Sequence, residues 1–187
     1  MGFTKSDADP NLYYNTEDNE PLILVMYVED LFLTCNEKFI EWCKKKLAFE
    51  FEMKDLELMH YFLGLEVWQR QKEIFPSQGK YTIDILKRFR MLDCKSMATP
   101  MDANFEKLKE STSNSDTIDP TMYRQLIDSL MYLANTRPNR CFTVNVLSQF
   151  MGDLRQVHWV TAKHVLRYLR DTVGYGLRYA SGCDLTL

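Results

Sequence analysis

The sequence predicts an α+β chain in which strand-forming segments come first and helices follow. Three observations carry this reading. Two short apolar runs, Leu22–Met26 and Leu31–Leu33, flank a polar step and read as paired strands. Ranges 37–50, 80–90, 121–135 and 157–171 repeat apolar residues at helical spacing. A polar stretch, 95–120, separates the two regions.

Each element has its own local signal. Residues 1–20 are polar and read as loop, although Leu12-Tyr13-Tyr14 could open a strand. A hairpin around Glu29-Asp30 follows. In 37–50 the apolar positions Phe39, Ile40, Cys43 and Leu47 lie opposite Lys44-Lys45-Lys46, with Asn36 as N-cap and Glu37 in the first turn. Residues 60–69 and 73–77 read as a second hairpin about Arg70-Gln71-Lys72, and Pro76 suits only an edge strand there. Helix 80–90 places Tyr81, Ile85, Leu86 and Phe89 on one face. The stretch 95–120 includes Glu110–Asp116, rich in Ser, Thr and Asn, and is expected to be a linker because such a run packs no core. Helices are expected at 121–135, opened by Asp119-Pro120, at 141–151 and at 157–171, with a terminal strand at Tyr175–Tyr179.

Composition narrows the function classes. At 187 residues the chain makes one domain or two small ones, and 45% hydrophobic with 13% aromatic content supports a core. No apolar run approaches a membrane span, and the start has no signal-peptide pattern. Five scattered cysteines with no C-x-x-C spacing predict reduced thiols in an intracellular setting and no zinc site. His60, His158 and His164 have no ligand spacing and are assigned no role. The net charge of −3 means that any contact with nucleic acid must use a local patch.

The chemistry concentrates at Tyr27-Val28-Glu29-Asp30. Two adjacent carboxylates between apolar runs belong at a hairpin tip, where they can stay solvated or meet a cation. Two acids at such a tip are how nucleotide polymerases hold divalent metal ions. The alternative is a solvated turn with no metal.

The tetrapeptide is similar to the Tyr-x-Asp-Asp motif of reverse transcriptases, with Glu29 in place of the first Asp. It does not stand alone. LILVMYVEDLFLT, FEMKDL, HYFLGLEV, SQGKY, CKSMATPMD, DPTMYRQLIDSLMYLANTRP, VNVLSQFM, HWVTAKHVLRYLR and GYGLRYAS occur in the order and spacing of the reverse transcriptase of copia-type retrotransposons. The chain resembles that family from Gly2 to Leu187.

The resemblance implies a truncated, inactive RNA-directed DNA polymerase. Residues 1–94 correspond to a partial palm of antiparallel hairpins and helices, 95–120 to a linker, and 121–187 to a helical thumb and connection region ending before RNase H. Met1 then corresponds to an internal methionine of a polyprotein. Asp30 and Glu29 are in register with two of the family's three carboxylates for Mg²⁺, now vestigial, and Tyr27 with the aromatic beside the primer end. Glu is one methylene longer than Asp, which displaces its carboxylate by roughly 1 Å, a scale at which rates fall ~100-fold. Hairpin 61–77 matches the primer-grip region, making Tyr61 and Trp68 candidates, although alternating strand aromatics are more often core.

In helix 157–171, Lys163, Arg167 and Arg170 fall at i, i+4 and i+7 and form a basic stripe opposite Val160, Val165, Leu166 and Leu169. Such a stripe can track an RNA/DNA hybrid backbone weakly, or be only a solvated face. Self-association, or docking of a missing upstream palm and fingers segment, is expected of the exposed hairpin. Where the family shows glycine the chain carries Cys35, Glu57, Arg90, Asp128 and Asp171, and Asn139 follows Pro138 where the family has Asp. The acidic, Arg and Asn changes are each one G-to-A transition away, so the set reads as decay. A transposon-derived binding module without catalysis is the competing reading.

Overall fold

The computed structural model describes residues 2–17, 20–101, 108, 118–138 and 141–181. Among them are two four-stranded antiparallel sheets and five α-helices. They are distributed over two compact units, Met1–Glu57 and Leu58–Leu187.

In the first unit β1 (Thr4–Lys5), β2 (Leu12–Glu17), β3 (Glu20–Tyr27) and β4 (Asp30–Thr34) form a meander in chain order. Much of the opening segment expected to be loop is therefore strand. Leu12, Tyr13 and Tyr14 pair with Val25, Leu24 and Ile23, so the apolar β3 templates a polar-looking neighbour. Pleating sends Leu22 and Leu24 to one face, where they are buried, and Ile23 and Val25 to the other, where they are half-buried. Helix α1 (Glu37–Glu50) supplies Cys43 and Leu47 to this core. Its N-cap is Asn36 as expected, the side chain accepting from Phe39 N at 2.9 Å.

The second unit begins with β5 (Tyr61–Phe62), β6 (Leu65–Arg70) and β7 (Glu73–Ser77). The expected single strand over 60–69 is two, because Leu63 and Gly64 both take positive φ, 46° and 76°, in a two-residue turn. Strand β8 (Tyr179–Ala180) pairs with β7, and Leu177 N donates to the Pro76 carbonyl at 3.0 Å. Pro76 thus does not mark a free edge, because the chain's later residues return to cover it.

The helices are α2 (Gly79–Arg88), α3 (Pro120–Leu133), α4 (Cys141–Ser148) and α5 (Gln156–Asp171). Asp119 caps α3, accepting from Thr121 N at 2.8 Å, with Pro120 in the first turn. Ile85, Leu126, Ile127, Leu147, Val165, Leu166 and Leu169 meet in one apolar core without exposure. Tyr123 joins it by donating to the Leu147 carbonyl at 2.8 Å, and burial pushes its phenol above the ordinary range.

A buried polar knot ties these elements together. Arg137, 2% exposed, donates to the carbonyls of Thr172 and Val173 at 2.6 Å each and reaches Thr82 Oγ1 at 3.4 Å. Gln78, also buried, accepts from Thr136 Oγ1 at 2.6 Å and donates to the Tyr132 carbonyl at 3.3 Å. Burial lowers the Arg137 guanidinium to about 10, still charged at neutral pH.

Most of the stretch expected to be a linker, including its Ser- and Thr-rich run, lies outside the described residues. The described parts touch α5. His164 Nε2 lies 3.0 Å from the Thr99 carbonyl, and His158 Nε2 lies 2.9 Å from that of Leu108. His158 is fully buried, stacks on Phe150 at 4.0 Å, and accepts at Nδ1 from Arg155 N at 3.1 Å. Nδ1 accepts only while unprotonated, so Nε2 carries the hydrogen that reaches Leu108. Burial lowers the His158 pKa from 6.5, the Leu108 carbonyl opposes that shift, Arg155 adds to it, and Asp153 opposes it.

Backbone strain in this architecture is open to test. Glu57 and Arg90 adopt φ of 62° and 55°, a conformation costing an L-residue about 1–2 kcal/mol. Glu57→Gly and Arg90→Gly are each expected to add up to about 1 kcal/mol of stability, after glycine's own entropy cost. Gly176→Ala should lose about 1–3 kcal/mol, since its Cβ would stand 2.4 Å from the Pro76 oxygen. Urea midpoints at unchanged m test all three.

The buried imidazole makes stability depend on pH. With a folded pKa below the unfolded one, His158 contributes stability that is full above about pH 6.5 and is lost as pH falls toward the folded pKa. Urea midpoints between pH 7.5 and 5 should fall more steeply for the native chain than for His158→Gln. Parallel slopes would assign the decline to other groups.

Candidate functional site

The paired acids sit where the register requires. Tyr27 pairs with Asp30, so Val28 and Glu29 are the two residues of the β3–β4 turn. Val28 takes φ 54° and Glu29 does not share the positive φ, the pattern of a type II′ turn. That position favours glycine. A β-branched residue there is a backbone outlier, and strain of this kind costs of order 1–3 kcal/mol. The turn projects, with Val28 88% exposed and Tyr27 43%. Glu29 and Asp30 are both exposed.

Behind the turn lies a cavity of about 360 Å³ between the Leu24 face of the sheet and the end of α1. Leu24, Met26, Leu31, Leu47, Phe51 and Met53 are among its lining residues. Among the described residues Glu29 and Asp30 are its acidic lining, and no basic residue lines it. The sequence offered no signal for it, because it depends on where the chain leaves α1.

Among the described residues no group of three His, Cys, Asp or Glu is placed to hold a metal ion. Magnesium requires nearly octahedral oxygen ligands. Two exposed carboxylates on one turn do not supply that set by themselves.

The second unit carries the remaining sequence-derived candidates. Tyr61 and Trp68 are 58% and 63% exposed, so they are surface aromatics and not core. Register places Tyr61 opposite Glu66, and Glu66 shares its face of β6 with Trp68. Glu66 accepts from Lys80 N at 2.9 Å at the start of α2, and Lys80 Nζ lies 5.6 Å from the Tyr61 ring centre. On α5, Arg167 and Arg170 are exposed, while Lys163 is half-buried with Nζ 5.1 Å from the Trp159 ring centre. Arg170 Nε also reaches the Leu92 carbonyl at 3.4 Å. Val160 is not opposite this stripe. It is 56% exposed and lies three and seven residues before Lys163 and Arg167, on the same side.

Of the positions marked as glycine in the resembled family, Glu57 and Arg90 are left-handed, whereas Cys35, Asp128 and Asp171 are not. Asp128 is exposed on α3 and carries no burial cost.

Charge divides sharply between the units. Residues 1–57 hold six lysines against thirteen carboxylates, a formal −7. Residues 58–187 hold 17 basic against 13 acidic residues, a formal +4, which together give the chain's −3. A single net charge concealed an acidic unit bearing the turn and a basic unit bearing the stripe.

Residues 1–103 match the family model of reverse transcriptase (RNA-dependent DNA polymerase). The retrovirus-related Pol polyproteins from transposons RE2 and RE1 of Arabidopsis thaliana are 37% and 36% identical over the whole chain. The chain spans only 13% of the length of each. An uncharacterized mitochondrial protein of Arabidopsis thaliana is 36% identical over 83% of this chain and 64% of its own length. No solved structure matches.

Proposed function

The chain belongs to the reverse transcriptase (RNA-dependent DNA polymerase) family, and from that premise we propose that it is a piece of a copia-type polymerase that does not polymerise by itself. In this reading residues 1–94 are the later part of the palm, and 121–187 are thumb and connection. The observation that carries the proposal is the turn itself. It offers two acids, one lengthened to Glu29, and no third ligand is grouped with them among the described residues. Among the described residues strand β4 ends its sheet, and an edge of this kind accepts a strand from elsewhere in a polyprotein.

Primer-template, nucleotides and Mg²⁺ or Mn²⁺ are expected to give no extension with this chain, and Glu29→Asp alone should not restore it. Template-dependent extension that Asp30→Ala abolishes would overturn the proposal.

The basic unit supports a second element of the reading, weak nucleic-acid contact through Lys163, Arg167 and Arg170. Three phosphate contacts give a log–log salt slope of about −3 on duplex, at about −0.9 per contact. Dissociation constants should fall in the non-specific range of about 10⁻⁴–10⁻⁶ M. Fluorescence anisotropy should show that slope flattened when all three residues become Ala. Binding unchanged in the triple variant would make the stripe a solvated helix face only.

A further inference from the structure

We propose that the cavity behind the Tyr27–Asp30 turn binds a small organic cation, an ammonium or amidinium carried on an apolar body of one or two rings. The size argument comes first. Small-molecule pockets run from about 300 to 1,000 Å³. At about 360 Å³ this cavity, open to solvent along Met26, Phe51 and Met53, falls within that range. Leu24, Met26, Leu31, Leu47 and Met53 give it aliphatic and thioether walls, and Phe51 adds a ring. Two of these are methionines, whose side chains adapt to varied apolar shapes.

Charge fixes the other half of the ligand. The charged residues lining the cavity are Glu29 and Asp30, both negative and both on its turn side. Among the described residues, the ion pairs join Lys44 to Asp55, Lys80 to Glu66, Arg155 to Asp153 and Arg178 to Glu73, and none of them involves the turn. The unit as a whole, these two acids included, carries a formal −7, which concentrates cations and repels anions. An anionic head at the turn would face two carboxylates, whereas a cationic head faces complementary charge. Polymerase descent plays no part in this recognition, and its test contains no nucleotide.

The full chain, labelled at methionine methyls, is titrated with 4-phenylbutylamine, 4-phenylbutanol and 4-phenylbutyrate. Substitution of Met26 and Met53 by Leu, one at a time, assigns their signals. The amine should shift both methyls and bind about tenfold or more tighter than the acid, with the alcohol between them. Glu29→Gln with Asp30→Asn, at exposed positions, should bring the three ligands to within about twofold of one another. Leu31→Trp should remove binding by filling the space. If that variant does not fold, the double amide variant decides the matter alone. Unmoved Met26 and Met53 methyls at saturating amine, equal affinity for all three ligands in the native chain, or a preference surviving in the double variant would each overturn the proposal.

Discussion

A single guanidinium organises the larger unit. Arg137 follows the short 3-10 turn at Ala134–Thr136 and places its donors on the carbonyls of Thr172 and Val173 just past α5. The same group reaches Thr82 in α2, whose own backbone and hydroxyl bond to the buried Gln78. Three segments distant in sequence, 78–82, 132–137 and 172–173, therefore share one polar centre. Burying a cation with no carboxylate is costly, and the carbonyl dipoles offset part of that cost. Among the described residues, Arg137 Nε is the one buried side-chain nitrogen or oxygen left without a hydrogen-bond partner.

The acidic hairpin depends on the opposite physics. Its charges are exposed, so they need no partner, and what holds them is the backbone ladder from Ile23–Thr34 to Tyr27–Asp30. The turn retains a shape that presents two carboxylates even though Val28 sits in a conformation suited to glycine. Geometry set by strand pairing outlasts changes in side chains, because register comes from many backbone bonds and from the buried face at Leu22 and Leu24.

Glycine positions record the same division between backbone and side chain. Gly176 remains where the Pro76 carbonyl leaves no room for a Cβ. Glu57 and Arg90 occupy left-handed positions in the open, where the penalty is conformational and the side chain reaches solvent. A clash with a backbone oxygen has no escape, whereas a strained φ at the surface costs a small and bearable energy. Asp128 shows the limit of inference from composition, since it lies between apolar neighbours in sequence and faces solvent in the helix.

Local periodicity in the sequence determined α1 over Glu37–Glu50, α2, α3 and α5 to within a few residues, and the hairpin around Glu29 and Asp30, because capping and amphipathic spacing act over a few residues. It also determined family membership, through ordered motifs. It did not determine strand β2, where polar residues become strand only against β3, nor the break at Leu63-Gly64, nor the cover over Pro76. The exposure of Tyr61 and Trp68 was equally illegible, since alternation names two faces of a strand without saying which one is covered. The Arg137 knot, the His158 contact with Leu108 and the apolar cavity arise from segments far apart in sequence. Only tertiary structure decides such features, because burial and polar satisfaction are properties of neighbours in space.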